Sequence, residues 1–382
     1  MTELLSPAGS WEAMVAAVQS GADAVYMGFG SFNARRSAQN FSDESFAEAV
    51  RYCHLRGVKV YLTLNTLLTD RELTDAADAL RKASQMGADA VLVQDWGALT
   101  LAQEVTPDLP IHASTQMSIH TLSGANYAVD LGMERVVLAR ELSRNDIAEI
   151  CRGCRGEIET FLHGALCMCY SGQCEMSALI GGRSGNRGRC AQPCRLPFGV
   201  GKEKGYCLSL KDLSLIDKIP ALEKAGVCSL KIEGRMKSAY YAAAVTNAYR
   251  HAIDCAVKGE PLPGVWLDEG NKLSHRPYCT GFYYGDPGQH YAEASYFSDA
   301  EVCAVVEECD GEGNAVLTQR NRFCTGDTVE LMTNSAEPVS FTVGQMENSD
   351  GEPIEATPHP MMRIKMKLPF ACEPLSILRR MK

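Results

Sequence analysis

The chain has 382 residues, which is too long for one minimal domain and suits a large barrel with a smaller appended domain. Hydrophobic residues make up 46% of it and charged residues 22%, proportions that are ordinary for a globular enzyme and exclude a disordered chain. The formal net charge of -10 argues against a non-specific nucleic-acid coat, although a local basic track on one face is compatible with it.

The N-terminal segment argues against a secretory leader, because it carries Glu3 and no basic residue ahead of an apolar run. No stretch of the sequence reaches the ~20 uninterrupted apolar residues that a membrane span needs. We therefore expect a cytoplasmic protein without membrane contact, in which cysteines stay reduced.

A short phrase recurs along the first part of the chain. Gly21 and Gly87 are each followed by Ala-Asp-Ala and an apolar run, and looser copies begin at Gly132 and Gly226. Each glycine stands where a helix would end, and each apolar run is typical of a buried parallel strand. Residues 10–20, ahead of the first copy, have the apolar spacing of a helix and begin at a serine that can cap it.

Eight strand-like runs result, and helix-like stretches separate most of them. The runs are 3–5, 24–28, 58–65, 90–95, 111–115, 135–140, 158–163 and 228–233. This alternation favours an α/β fold, a (β/α)8 TIM-barrel-like domain over residues 1–260, against the alternative of an open six-stranded sheet with two misassigned runs. Polar residues at the carboxyl ends of the strands would collect at the barrel mouth, where chemistry takes place. These residues are Ser6, Asn65, Gln94, Asp95, Ser114, Gln116, Arg140, His163, Lys231 and Glu233.

The connection between the seventh and eighth strands is abnormally long, so we treat residues 165–220 as an insertion over the barrel mouth. The chain has 16 cysteines, and eight of them lie between Cys151 and Cys207, most within this insertion. Clustered cysteines in a reduced chain indicate metal ligands or redox chemistry.

The spacing of these cysteines bears on which group they hold. Zinc ribbons favour two Cys-x-x-Cys knuckles, and the single such pair here, Cys151 with Cys154, lacks a second. Gaps of six and three residues, as between Cys167 and Cys174 and between Cys190 and Cys194, allow four thiolates to reach the corners of an iron-sulfur cluster. Zinc, a redox or nucleophilic cysteine and unliganded thiols are the alternatives.

The loop 183–195 holds four arginines and no acid, with glycines between them. Glycines let backbone N–H groups approach a phosphate, and arginines can bind its oxygens with two N–H groups at once. The alternative is a flexible, solvated loop. The candidate anion-binding residues are Arg183, Arg187, Arg189 and Arg195. Asn33 and Arg35 form a second candidate track on the same face, and the C-terminal 22 residues are also basic. Such tracks are compatible with a folded RNA partner.

The pattern changes after the eighth strand. Residues 238–258 are typical of a closing helix, and a Pro-Gly-rich stretch opens a linker over 261–291. From 292 to 382, short alternating runs are broken by Asp-Gly and Gly-Asp turns. This pattern indicates a small antiparallel β-barrel domain.

Three residues of the predicted mouth are candidates for proton transfer: His163, Lys231 and Glu233. His163 lies four residues before Cys167 and would suit the base of a thiol protease, although a lone histidine at a strand end is more often a hydrogen-bonded wall residue. The alternative for Lys231 and Glu233 is a structural ion pair. The sequence has no His-Glu-x-x-His, Gly-x-Ser-x-Gly, GxxxxGK-type phosphate loop or Gly-x-Gly-x-x-Gly motif.

Several motifs together resemble those of the peptidase U32 family. They are Leu4-Leu-Ser-Pro-Ala-Gly9, Gly21-Ala-Asp-Ala-Val-Tyr26, Asn33-Ala-Arg35, His163-Gly-Ala-Leu-Cys167 through Cys194-Arg195, and Ser229-Leu-Lys-Ile-Glu-Gly-Arg235. Gln319-Arg-Asn-Arg-Phe and Pro358-His-Pro resemble the small C-terminal β domain of that family. The resemblance covers nearly the whole chain.

This resemblance implies an iron-sulfur cluster, of the 4Fe-4S type, as the cofactor. Its ligands would be Cys167, Cys174, Cys190 and Cys194. Cys169 stands where relatives commonly have a small residue, and Cys207 lies close to where some relatives place a fourth ligand. The fourth ligand is therefore open among Cys194, Cys207 and Cys169.

The family is named for collagenase-like peptidases, but several of its branches support oxygen-independent or prephenate-linked hydroxylation of RNA or of ubiquinone. A short barrel followed by this C-terminal domain is most similar to the branch that forms 5-hydroxyuridine at a tRNA wobble position. The resemblance therefore implies a tRNA-hydroxylating enzyme, with prephenate as a candidate co-substrate and a homo-oligomer or a partner of the same family as a further expectation. Hydroxylation of a 23S rRNA cytidine, peptide hydrolysis and a non-catalytic RNA-binding role are the alternatives.

Overall fold

The computed structural model of the chain describes residues 2–30, 32–35, 38–201, 203–333 and 336–382. The chain divides into two units, Met1–Leu262 with His275–Tyr296, and Pro263–Ser274 with Phe297–Lys382. The segment 261–291, expected to be a linker, thus contributes residues to both units.

The first unit alternates strands and helices along the chain. Its strands are β1 (Glu3–Ala8), β2 (Ala24–Met27), β3 (Lys59–Leu64), β4 (Ala90–Val93), β5 (Ile111–Ala113), β6 (Arg135–Val137), β7 (Glu157–Ala165), β8 (Phe198–Val200), β9 (Glu203–Gly205), β10 (Asp212–Ser214), β11 (Ser229–Ile232) and β12 (Tyr278–Cys279). Its helices are α1 (Trp11–Gln19), α2 (Asp43–His54), α3 (Leu73–Gln85), α4 (Trp96–Val105), α5 (Leu122–Asp130), α6 (Arg144–Gly153), α7 (Met176–Gly181), α8 (Ile219–Ala225) and α9 (Ala239–Lys258).

Eight parallel strands, counted over the described residues, close into a barrel. Strands β1 to β7 pair in chain order, and β11 pairs with both β7 and β1. Strands β2 and β4 are buried along their whole length, which explains why they appear in the sequence as uninterrupted apolar runs. The predicted (β/α)8 barrel is confirmed, and each of its eight strands lies at a predicted run.

The recurring glycine phrase is a helix stop followed by a strand. Gly21, Gly87, Gly132 and Gly226 have φ values of +93°, +92°, +89° and +95°, in the left-handed region that favours glycine. At the other end of α1, the hydroxyl of Ser10 accepts a hydrogen bond from the backbone N–H of Ala13. Local chemistry alone therefore sets both ends of this first helix.

The insertion leaves the barrel at the carboxyl end of β7. Strand β10 pairs antiparallel with the last residues of β7, in the register Ser214 with His163 and Asp212 with Ala165, and β12 extends this sheet. Because Cys167 follows β7 by two residues, the cysteine-rich segment begins at the barrel mouth.

The second unit is an antiparallel half-barrel preceded by a short helix, α10 (Gly264–Asp268). Its strands are β13 (Ala300–Cys309), β14 (Asn314–Gln319), β15 (Thr328–Met332), β16 (Val339–Thr342), β17 (Met346–Glu347), β18 (Pro353–Ile354), β19 (Arg363–Lys367) and β20 (Ile377–Met381). Their order is β16-β15-β20-β13-β14-β19-β17-β18. Leu317, Phe323 and Leu331, all fully buried, lie in its core.

The helices of the described residues include none that is both long and apolar enough to cross a membrane.

Candidate active site at the barrel mouth

Glu233 is the centre of charge at the mouth. It follows β11 directly, and its carboxylate oxygens lie 3.2 Å from Nη2 of Arg35 and 3.1 Å from Nη2 of Arg140. Arg140 comes from the segment after β6 and also donates to the carbonyl of Ala165 at 2.6 Å. Burial raises the pKa of Glu233, but the charges of Arg35, Arg140 and Arg235 outweigh burial and bring the pKa to about 2. The carboxylate is therefore charged at neutral pH.

Arg35 is held over the mouth by a buried network around Arg235. The guanidinium of Arg235 donates to the side-chain oxygens of Asn33 and Asn40. The oxygen of Asn33 also accepts the backbone N–H of Arg35 at 3.0 Å. Asn33 itself is fully buried, so the structure places it behind Arg35 as a support. A Cβ at Gly28 would come within 2.3 Å of Asn40 Oδ1, so only glycine fits this site without a shift.

Lys231 lies inside the barrel and not beside the Glu233 carboxylate. Its ammonium is 2.7 Å from Oε1 of Glu159, and both side chains are almost completely buried. Glu159 also pairs with Arg135, which in turn bonds Glu3 at the amino end of the barrel. Lys231 and Glu233 therefore each form an ion pair, but with other partners and not with each other.

His163 is buried against tyrosines. Its Nδ1 lies 3.2 Å from the hydroxyl of Tyr249, and its Nε2 lies 3.5 Å from the hydroxyl of Tyr278. Burial lowers the pKa of His163 to about 3. This is the environment of a neutral, hydrogen-bonded wall residue, and neither ring nitrogen is directed at Cys167.

The cysteines of the insertion lie near one another over the mouth. Burial and the neighbouring thiol of Cys174 raise the pKa of Cys169 to about 11. Burial raises the pKa of Cys194 as well, and the thiols of Cys167 and Cys190 raise it further. The group of thiols predicted from spacing is therefore brought together, and Cys169 lies within it. Cys207, another candidate for the fourth ligand, is half-buried.

The backbone supports this arrangement. A Cβ at Gly185 would lie 3.8 Å from both the carbonyl of Cys174 and the Cβ of Cys190, so these two cysteines flank one glycine. The hydroxyl of Ser177 accepts the backbone N–H of Ala191 at 2.8 Å, which fixes the segment that carries Cys190. All 16 cysteines are free thiols.

These thiols do not converge as ligands of a single ion would. No three Cys, His, Asp or Glu side chains of the described residues stand close enough to hold one metal ion. A structural zinc ion needs four ligands within about 2.3 Å of one point, whereas an iron-sulfur cluster spreads its thiolates over several iron atoms. The thiols are ligands that both zinc and an iron-sulfur cluster accept.

The arginines of the insertion loop divide into two kinds. Arg187 binds both carboxylate oxygens of Glu72 at 2.8 and 2.6 Å and the carbonyl of Leu67 at 2.7 Å. The hydrogen bond from Arg187, with those of Thr69, lowers the pKa of Glu72 to about 2. Arg187 therefore anchors the loop to the segment after β3, whereas Arg183 and Arg189 are exposed and Arg195 is half-buried.

Two of the basic residues near the C-terminus form ion pairs within the second unit. Arg379 is fully buried and its Nη2 lies 2.9 Å from both Glu269 and Glu330. Arg380 pairs with Glu301 at 2.5 Å and with Asp327 at 2.7 Å. These two arginines stabilise their own sheet and offer little free charge to a nucleic acid.

Sequence reasoning gave no role to three residues that lie beside the thiols. Lys237, Arg276 and Tyr296 come together next to Arg195. Only the position of Lys237, a few residues after the eighth strand, could have indicated from the sequence that it lies near the mouth. Arg276 and Tyr296 follow the closing helix in the chain, and no local sequence pattern predicts that they lie near the barrel mouth.

Comparison with known proteins shows which family the sequence matches. The sequence profile of peptidase family U32 matches residues 9–293, and the profile of the peptidase family U32 C-terminal domain matches 298–379. The "tRNA hydroxylation protein P1" of Bacillus subtilis (strain 168) is 34% identical, over 100% of this chain and 95% of its own length. A 23S rRNA 5-hydroxycytidine synthase of Escherichia coli (strain K12) is 43% identical, over 67% of this chain and 40% of its own length. A "Collagenase" of Porphyromonas gingivalis (strain ATCC BAA-308 / W83) is 34% identical, over 74% of this chain and 73% of its own length.

Proposed function

The chain belongs to peptidase family U32, and on that basis we propose that it is an RNA-modifying hydroxylase that forms 5-hydroxyuridine at the wobble position of tRNA. The observation that carries the proposal is the match, along the whole chain, to a protein named for tRNA hydroxylation. A second relative named for an RNA hydroxylation supports the same reaction class. Exposed arginines beside the mouth, Arg183 and Arg189, suit contacts with RNA phosphates.

We further propose that four thiolates of the insertion hold an iron-sulfur cluster of the 4Fe-4S type. The ligands are Cys167, Cys174, Cys190 and Cys194, with Cys169 as an alternate ligand because its thiol neighbours that of Cys174. When bound, such a cluster supplies redox or Lewis-acid chemistry that side chains lack. The proposal is supported by the number of neighbouring thiols and by their position over the barrel mouth.

The other residues of the mouth bind and orient the substrates. A carboxylate with a pKa of about 2 is a weak base, so we assign Glu233 to holding Arg35 and Arg140 in place. Arg35 is 34% exposed and can turn towards a small carboxylate co-substrate, for which prephenate is the candidate. His163 and Lys231 then act as a wall residue and a buried ion-pair partner, and neither moves a proton.

Analysis of nucleosides by mass spectrometry in a strain that lacks the gene tests the reaction. We expect 5-hydroxyuridine derivatives of tRNA to disappear and to return with the wild-type gene, but not with Cys190→Ala. Loss of ribosomal hydroxycytidine alone would show that the substrate is rRNA and not tRNA. Unchanged levels of both modified nucleosides would contradict RNA hydroxylation.

Chemical analysis of the purified protein tests the cofactor. Protein purified without oxygen should contain about four iron atoms and as much sulfide per chain, and Cys190→Ala should lose most of both. A colourless protein with stoichiometric zinc would contradict the cluster.

Peptide hydrolysis is the second candidate function, and the relative named as a collagenase favours it. It predicts cleavage of gelatin that survives removal of iron. The environment of His163 is unfavourable to a thiol protease, since both of its ring nitrogens face tyrosine hydroxyls where a Cys–His mechanism needs the thiol.

A further inference from the structure

Three cationic side chains surround the ring of Tyr296 in the first unit. The Cζ of Arg195, the Nζ of Lys237 and the Cζ of Arg276 lie 5.3, 4.3 and 5.7 Å from the ring centre. Arg195 comes from the insertion, Lys237 from the segment after β11 and Arg276 from the segment before β12. The fold therefore brings positive charge to one place from three separate parts of the chain, and we call this group the Tyr296 site.

One of these cations lacks a carboxylate partner among the described residues. Asp212 accepts hydrogen bonds from Nε and Nη2 of Arg276 at 3.0 and 2.8 Å. Arg195, by contrast, forms no salt bridge within the described ranges. Its positive charge therefore lies close to that of Arg276 without an acid of its own.

A buried donor at the Tyr296 site also lacks an acceptor. Arg276 is fully buried, and its Nη1 has no hydrogen-bond partner in the part of the chain that the structure describes. An unpaired buried N–H is unfavourable and rare in proteins, so it calls for a ligand or an ordered water. Oxyanions are the ligands that a guanidinium fork binds best.

The pKa of Lys237 shows that Lys237 lies within the electric field of the two arginines. Burial lowers the pKa of Lys237, Asp212 raises it, and Arg195 and Arg276 lower it again. An added anion would relieve this repulsion and would favour the charged ammonium.

We propose that Arg195, Lys237 and Arg276 form a binding site for an oxyanion, a phosphate or carboxylate group of a substrate. The ring of Tyr296 supplies one wall, and the three cations supply the charge and the hydrogen bonds. The existence of the site does not depend on the proposed RNA chemistry; only the identity of the molecule that brings the oxyanion rests on it.

The competing explanation is that these cations neutralise the thiolates of the insertion. Arg195 adjoins Cys194, and both Arg195 and Arg276 oppose the rise of the Cys194 pKa. In that case the thiolates of the metal-loaded protein would neutralise these cations, and a free anion would not bind. The test must therefore use the protein as purified without oxygen, with its metal content intact.

Calorimetric titration with inorganic phosphate tests the site. We expect the wild-type protein to bind phosphate and Arg195→Gln/Lys237→Gln to bind it at least tenfold more weakly. Arg276 is left unchanged because its buried pair with Asp212 supports folding. The matched control is Arg152→Gln/Lys224→Gln, which removes two exposed charges at the opposite end of the barrel and should bind phosphate as the wild type does. Circular dichroism should show both double variants to be folded.

Two further titrations identify the source of the oxyanion. If it is an RNA phosphate, Arg195→Gln/Lys237→Gln should reduce the salt dependence of tRNA binding by about two phosphate contacts. If it belongs to a small molecule, tRNA binding should be unchanged and malonate should compete with phosphate. Absent phosphate binding, or equal binding by the wild type and Arg195→Gln/Lys237→Gln, would overturn the site. Neither result bears on the nucleoside analysis, so the two proposals fail separately.

Discussion

At the scale of single residues, the mouth is organised by one carboxylate among arginines. Glu233 touches Arg35 and Arg140, and the charge of Arg235 also reaches it. Removing an arginine would leave the others paired, but removing the carboxylate would leave buried like charges together. A break of this kind typically costs several kcal/mol, because the surviving charges have no compensating partner.

Glu233→Gln should lower the free energy of unfolding, and the size of this loss should depend on pH. The folded pKa of Glu233 is about 2, below the ordinary carboxyl value of about 4.3, so its contribution is present above pH ~5 and is lost as the pH falls towards 2. The shift corresponds to a contribution on the order of 3 kcal/mol at pH 7. Urea unfolding of both proteins at pH 7 and pH 3 measures it.

The difference in unfolding free energy between wild type and Glu233→Gln should fall by more than half between these two pH values. Glu12→Gln, an exposed carboxyl in α1, is the control and should match the wild type at both. A difference that does not change with pH would show that Glu233 acts through packing and not through its charge.

At the scale of elements, the insertion is fastened to the barrel by contacts at several strand ends. The carbonyl of Asn186 accepts the N–H of Leu67 at 3.1 Å, and it also accepts the amide of Gln94 at 3.2 Å. Ser171 bonds Glu141 through both its backbone N–H and its hydroxyl, each at 3.2 Å. The thiols are therefore held against the ends of β3, β4 and β6.

Gly172, in the same insertion, packs against the backbone of Gln116. Its substitution should therefore disturb the position of the thiols. A Cβ at this position would lie 2.1 Å from the carbonyl oxygen of Gln116, and its φ of +77° is unfavourable for alanine. We expect Gly172→Ala to lower stability by about 2 kcal/mol or more. It should also lower the iron bound per chain by more than half, because the segment between Cys169 and Cys174 must move.

The matched control is Gly181→Ala, at the last residue of α7 in the same insertion. A Cβ at Gly181 meets nothing within 4 Å, so stability and iron content should stay at the wild-type level. Thermal unfolding and iron analysis of the two variants measure both effects. Equal iron contents in all three proteins would refute a role of this contact in placing the thiols.

The sequence predicted those parts of the molecule that local chemistry determines. Apolar runs defined all eight barrel strands, left-handed glycines precede four of them, and the long gap after β7 located the insertion. The ion pair between Arg187 and Glu72 was not predictable, because its partners lie far apart in the chain and no spacing rule joins them. The Tyr296 site was missed for the same reason: Arg276 reaches the mouth through tertiary packing alone.

At the scale of the whole molecule, an acidic chain must bind its substrate through one limited surface. The net charge is -10, and arginines such as Arg187, Arg379 and Arg380 are taken up by internal ion pairs. At the barrel mouth, the exposed cations are few, and Arg183 and Arg189 are among them. We therefore expect RNA binding to be weak and directed by few phosphate contacts.

The salt dependence of tRNA binding tests this view of the whole molecule. Each phosphate contact contributes about 0.7 to 0.9 to the slope of log affinity against log salt concentration. Binding through the few cations of the barrel mouth alone therefore gives a total slope of about -2 to -4. Arg183→Gln/Arg189→Gln should reduce that slope by about two contacts, while Arg152→Gln/Lys224→Gln, at the opposite end of the barrel, should leave it unchanged. Fluorescence anisotropy with labelled tRNA between 50 and 200 mM salt measures both. If both double variants lost the same slope, RNA would be bound by diffuse charge over the surface, and the barrel mouth would not be its site.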